Sequence, residues 1–276
     1  MSVSMFHFYI AGSILLGFIL LFAVNAVRSL KGEKPKWHSF EWSTLSYYCF
    51  LLPFVIPILA WLFLYPNTHL AVFFALSAVL GVLGESAFSL YWHSFFTEPF
   101  WHYSIGTFWR QYSSILNFIP WAVGGILYLG VARFVHFTPN AEELSLFWIT
   151  FFFSLVGLVL LRHCYKLIRG RTSITFKRIT IPAYVIALLP LLLPIVVTAS
   201  LFPSSNICTT AIFFGVGAWI VEYLFGKGCV YFVSRRLWVY NHVAWDEGHI
   251  TPLSIIPFAF GGFWFMTLYY LIGLAL

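Results

Sequence analysis

The chain has 276 residues, 61% of them hydrophobic and only 9% charged, with a formal net charge of +6 and a mean hydropathy of +0.89. A soluble domain carries roughly 25% charged residues, so a water-soluble fold of this length could not hide so much apolar side chain. The basic excess forms no folded basic domain and instead flanks apolar runs, which argues against nucleic acid as a partner and for membrane lipid.

Eight apolar runs are long enough to cross roughly 30 Å of hydrocarbon, at 6–27, 46–65, 69–92, 115–135, 145–161, 179–201, 207–231 and 254–275. The first has no basic residue ahead of it and no small-residue cleavage pattern, so it reads as a span and not as a removable leader. Arg28, Lys31, Lys34 and Lys36 follow it. "PNT" after Tyr65 makes a tight hairpin into the third run, and Arg110 follows that run. After the fifth come Arg162, Lys166, Arg169, Arg171, Lys177 and Arg178. "PSSN" turns the sixth into the seventh, and Lys227, Arg235 and Arg236 surround the last long loop. All these basic residues fall on one side, and Arg133 alone falls on the other. The positive-inside rule makes the basic side cytoplasmic and puts both termini outside.

A shift of 137 residues aligns the chain with itself. Pro53 and Pro57 fall on Pro190 and Pro194, Glu85 on Glu222, Trp101 and Tyr103 on Trp238 and Tyr240, and Pro120, Gly124 and Gly125 on Pro257, Gly261 and Gly262. Two hydrophobic stretches match by chance at apolar positions, but not at glutamate, proline and paired Trp-x-Tyr with one constant offset. The expected fold is an all-α polytopic protein of about eight transmembrane helices, built from two four-helix units, 1–137 and 138–276, joined at the "FTPNAEEL" loop. An even number of spans per unit makes the repeat parallel, about a pseudo-twofold axis along the membrane normal, with the site at the interface of the units.

Glu85 and Glu222 lie inside apolar runs, where a carboxyl group is costly and marks a functional site or a helix-locking contact. They are the candidate acid and base. Trp101, Tyr103, Trp238 and Tyr240 are candidates for lining a hydrophobic ligand site, or for anchoring at the interface. Arg110 aligns with Glu247, a pair of opposite charge that either meets across the axis or stands as two solvated loop charges. Lys227 stands five residues after Glu222, a spacing that does not put the two on one helix face. Cys49, Cys164, Cys208 and Cys229 form no CxxC, and His93, His102, His242 and His249 have no metal-ligand spacing, so no metal is assigned. No P-loop, dinucleotide fingerprint or aspartate-rich diphosphate site is present, and no cofactor is expected.

Glu85, Trp101, Tyr103 and Pro120, then Glu222, Trp238, Tyr240, Asn241 and Pro257, form an arrangement that resembles the lycopene cyclase domain and carotenoid hydratase type of membrane proteins. The resemblance covers about 45 residues in each half. It implies a helical, internally repeated protein acting on an isoprenoid lipid, with Asn241 joining the aromatic residues at the substrate. The cyclase pattern has a glutamate pair after the proline; this chain has Trp121–Gly125 and Phe258–Gly262 there, so Glu85 and Glu222 would supply the acids. Three functions follow as expectations. The first is an enzyme on a hydrophobic isoprenoid-like lipid, the second a proton-coupled transporter or lipid carrier, and the third a non-catalytic subunit with membrane-protein partners.

Overall fold

The computed structural model describes residues 44–170, 179–233 and 236–276, together with Tyr9, Gly12, Ser13, Leu16 and Gly17. Those five are helical and belong to the expected first span. The rest of that span lies outside the described residues, as do Arg28, Lys31, Lys34, Lys36, Arg171, Lys177, Arg178 and Arg235 and the side chain of Cys49.

The protein is all-α and polytopic. Among the described residues the helices are α1 (Thr44–Leu64), α2 (Thr68–Phe95), α3 (Phe118–Phe134), α4 (Ala141–Arg169), α5 (Ile181–Leu201), α6 (Ile207–Val233) and α7 (Ile255–Ala275). The last six are long and apolar enough to cross a membrane, and α1 carries a shorter apolar stretch, Phe50–Leu64. Their outer faces expose large apolar side chains such as Phe63, Phe153 and Leu224, an arrangement that needs lipid as solvent. The chain is an integral membrane protein.

Local chemistry sets the helix ends. The Asn67 side chain accepts from the Leu70 amide and starts α2 after the Pro66 turn. A capping box between Asn140 and Glu143 starts α4, and left-handed Gly170 stops it. The expected span 145–161 is therefore longer, because the cap opens it earlier and its charged last turns stay helical. Thr180 caps α5 by accepting from the Ala183 amide. Pro53 and Pro57 lie inside α1, and Pro190 and Pro194 inside α5. The Tyr91 hydroxyl reaches the Ala187 carbonyl in the stretch the α5 prolines loosen.

Boundaries recur at the offset of 137: Thr44–Leu64 with Ile181–Leu201, and Trp101–Tyr103 with Trp238–Tyr240. One-turn 3-10 helices precede α3 (Ile115–Asn117) and α7 (Pro252–Ser254), capped by Ser114 and Thr251. Positive φ angles recur too. Gly106, Trp109, Arg110 and Gln111 have φ of 58, 37, 56 and 65°, and Val243, Asp246, Glu247 and Gly248 have 44, 51, 58 and 94°. Left-handed backbone at a non-glycine residue costs about 1–2 kcal/mol, so surrounding contacts must hold this loop shape. Among them, the Tyr103 amide donates to the Gln111 carbonyl and the Ser104 amide to the Leu237 carbonyl, both at 3.0 Å.

α2 packs on α3, α6 on α7 and α4 on α5. Close approach depends on glycine: a Cβ on Gly125 would lie 2.5 Å from Ser77 Oγ, and one on Gly262 would lie 2.1 Å from the Phe214 ring. Gly261 has ordinary clearance, its nearest neighbour being Tyr128 Oη at 3.9 Å. Gly262→Val is therefore expected to cost about 2 kcal/mol through overpacking. Gly261→Ala should stay within about 0.5 kcal/mol of the parent. Thermal unfolding of both variants in nanodiscs checks the contrast.

Two hydrophobic clusters fill the bundle. Along α2, Leu70 and Phe73 belong to one, and Trp92 and Phe95 to the other. Between them, one face of α2 from Leu80 to Tyr91 borders a cavity.

Candidate functional site

Strand β1 (Trp101–Tyr103) pairs antiparallel with β4 (Trp238–Tyr240), in the register Trp101↔Tyr240, His102↔Val239 and Tyr103↔Trp238. Strand side chains alternate faces, so Trp-x-Tyr puts both aromatic rings of each strand on one side. All four rings are buried, while His102 and Val239 face the other way. A second small ribbon, β2 (Thr107–Phe108) with β3 (Ser113–Ser114), folds the loop back toward α3. Its counterpart at the offset is the Trp245↔Ile250 bridge.

The ribbon roofs the two glutamates. The Tyr103 hydroxyl donates to Glu85 Oε1, and the Tyr240 hydroxyl donates to Glu222 Oε1 at 2.6 Å. Phe88 stacks on Trp101 at 5.6 Å between centroids, and Phe225 on Trp238 at 6.0 Å. Each glutamate thus meets the same tyrosine and the same aromatic stack.

The rest of the two environments differs. Glu85 also accepts from the Ser113 hydroxyl, from Asn117 Nδ2 at 3.1 Å and from Trp121 Nε1 at 3.3 Å. Asn117 Nδ2 lies 2.5 Å from the Tyr103 hydroxyl as well. This commitment explains why Asn117, standing at the N-terminus of α3, makes no side-chain cap. Position 254 matches Asn117 at the offset and holds a serine, and positions 250 and 258 hold isoleucine and phenylalanine where Ser113 and Trp121 stand. Glu222 consequently keeps Tyr240, while its buried Oε2 has no hydrogen-bond partner among the described residues. Trp238 Nε1 is likewise unpartnered, whereas Trp101 Nε1 donates to the Tyr112 carbonyl at 2.8 Å.

Both glutamates line one cavity of about 370 Å³, in the size range of small-ligand sites. Trp101, Tyr103, Trp238 and Tyr240 line it with them, and thirteen of its twenty-five lining residues are aromatic. No lysine, arginine or histidine lines it among the described residues. The cavity has an apolar body, π-faces suited to developing positive charge, and two carboxyl groups.

Three residues singled out in the sequence stand outside it. Asn241 ties the loops together: its Nδ2 donates to the Pro99 carbonyl at 2.8 Å, and its Oδ1 lies 2.9 Å from His102 Nδ1. Arg110 is exposed. Glu247 is exposed and pairs with Arg236 within the second loop, not with Arg110. Arg236 lies closer along the chain and also donates to the Glu247 carbonyl. Lys227 pairs with Asp246 at 2.5 Å, and this ammonium, with the Tyr223 hydroxyl, holds the Asp246 carboxyl below its usual range. An exposed pair of this kind contributes little stability. His93 contacts the Tyr112 hydroxyl, His242 the Glu98 carbonyl and His249 the Asp246 carbonyl.

Sequence reading missed Ser113, Asn117 and Trp121 as partners of Glu85. Asn117 had a usable signal, since the constant offset sets it against Ser254, another polar residue three positions before a proline. Trp148 and Phe151 of α4 also line the cavity without any motif to mark them. No protein-family model matches the chain, and no curated protein or solved structure matches it significantly.

Proposed function

We propose that this protein is a membrane enzyme that rearranges a hydrophobic, isoprenoid-like lipid by acid–base chemistry, without an external oxidant or reductant. The observation that carries this reading is the sharing of one aromatic cavity by Glu85 and Glu222. Glu222 is the proton donor, because its Oε2 is uncommitted. Its O–H bond breaks as a C–H bond forms on an alkene carbon of the lipid. The resulting cation faces the aromatic walls and the Glu85 carboxylate, which four hydrogen-bonded residues hold in place. The Glu222 carboxylate then removes a proton from a carbon adjacent to the cation, which moves the double bond, or closes a ring when a second alkene attacks first. Atoms and charge balance, and the acid is regenerated.

The same reading includes an internal duplication. The recurring element boundaries, the matched Glu–Tyr pairs and the repeated positive-φ loop support it, and the β1–β4 register fits a pseudo-twofold axis through the ribbon. Arg162, Lys227 and Arg236 gather at the ribbon end of the bundle, which supports a cytoplasmic position for that end and outward termini.

Turnover in deuterated buffer tests the chemistry. The protein in nanodiscs is incubated with a neutral isoprenoid lipid fraction, and product is read by mass spectrometry. Deuterium fixed on carbon in a rearranged product, and absent from the Glu222→Gln variant, is the expected result. Rearranged product free of carbon-bound deuterium, or no product from any isoprenoid fraction, would overturn the proposal.

A further inference from the structure

We infer that the cavity is filled sideways from the bilayer, through a slot between α2 and α4, by the chain of an uncharged lipid. This deepens the proposed function by naming the substrate class and its path. On the α2 wall stand Leu80, Gly84 and Ala87, one helix face by their spacing, and on the α4 wall stand Trp148, Phe151 and Leu155, also one face. Gly84 and Ala87 are both accessible and line the cavity, which is open to the outside and not enclosed. A Cβ on Gly84 would meet nothing within 4 Å. α4 packs along α5 and α2 along α3, and α2 and α4 do not pack extensively on each other.

One end of the slot is pinned. Arg162 of α4 donates through Nη1 to Ser94 Oγ at 3.2 Å and through Nη2 to the Ser94 carbonyl, and its guanidinium lies 4.8 Å from the centre of the Phe95 ring. Gly84 lies ten residues before Ser94, about 15 Å along the helix, which places the opening within the hydrocarbon and not at the headgroups. The matching face of α6 holds Val221 and Leu224, bulky side chains turned outward that do not line the cavity, so among the described residues the opening lies on the α2 side.

The lining decides the occupant. With two glutamates and no cationic side chain around it, the site repels phosphate, diphosphate and fatty-acid carboxylate. A neutral chain gains the aromatic contacts and brings no charge to desolvate.

Photo-labelling tests this without requiring turnover, so failure of the path and failure of the chemistry are separable. The probe is a diazirine-tagged isoprenoid alcohol in phosphatidylcholine vesicles holding the whole protein. Light-dependent adducts on the peptide carrying Trp148, Phe151 and Leu155 are expected, competed by excess untagged alcohol. Gly84→Leu, and separately Leu155→Trp from the opposite wall, should lower these adducts roughly tenfold, equivalent to about 1.4 kcal/mol. Leu83→Ala, outside the slot, should leave them unchanged, and unfolding midpoints establish that each variant is folded. A diazirine-tagged fatty acid should give no competed adducts there. Undiminished labelling in both folded slot variants, equal competed labelling by the fatty acid, or no competed labelling of the parent would overturn the inference.

Discussion

Glu222→Gln is expected to lower lipid turnover by about 10²–10⁴-fold while leaving the unfolding temperature nearly unchanged. Glutamine keeps an oxygen to accept from Tyr240, so the one hydrogen bond of this side chain survives. The group that changes, Oε2, has no hydrogen-bond partner among the described residues. The substitution therefore removes a proton donor from the cavity and little else. Tyr240→Phe should fall between parent and variant, because it loosens the carboxyl without removing it. Unfolding midpoints and initial rates on the same nanodisc preparations check both. A Glu222→Gln protein that turns over at the parental rate would take the acid role away from this residue.

Glu85→Ala should behave in the opposite sense, costing about 3 kcal/mol of stability. Tyr103, Ser113, Asn117 and Trp121 all donate to this carboxylate; removing it strands the Tyr103, Ser113 and Trp121 donors and leaves Asn117 only the Tyr103 hydroxyl. Glu222→Ala strands only the Tyr240 hydroxyl and should cost about 1 kcal/mol. Denaturation of the two alanine variants side by side gives the difference directly. Equal losses would mean that the convergence of donors on Glu85 does not set its role. Under the proposed chemistry, the second half of the molecule holds the reactive carboxyl, and the first half holds the carboxylate that positions and stabilises.

Much of this was legible from residue types alone. The apolar runs gave the six long helices because lipid imposes helix length and an outward apolar surface. The repeated Trp-x-Tyr and the intramembrane glutamates stood out in both halves, whereas the short strands that turn both rings of each Trp-x-Tyr to one face did not. What stayed hidden depends on contacts between distant elements. Asn117 reads as an ordinary helix-capping residue until α2 brings Glu85 against it. Asn241 lies beside the site in sequence, yet it binds the Pro99 carbonyl, ties the loops together and does not line the cavity. Opposite charges at matching positions suggested Arg110 with Glu247, whereas local geometry gave Glu247 to Arg236. The slot beside Gly84 is set by the space between α2 and α4, which no pattern in either helix records.

An experimental density map of the protein in lipid nanodiscs, prepared with a neutral isoprenoid alcohol, tests the whole account most directly. Continuous chain-shaped density running inward from the gap beside Gly84 and ending between the carboxyl groups of residues 85 and 222 is the predicted result. Side chains at those two positions pointing away from a common space, or a water-filled channel through the bundle, would contradict it.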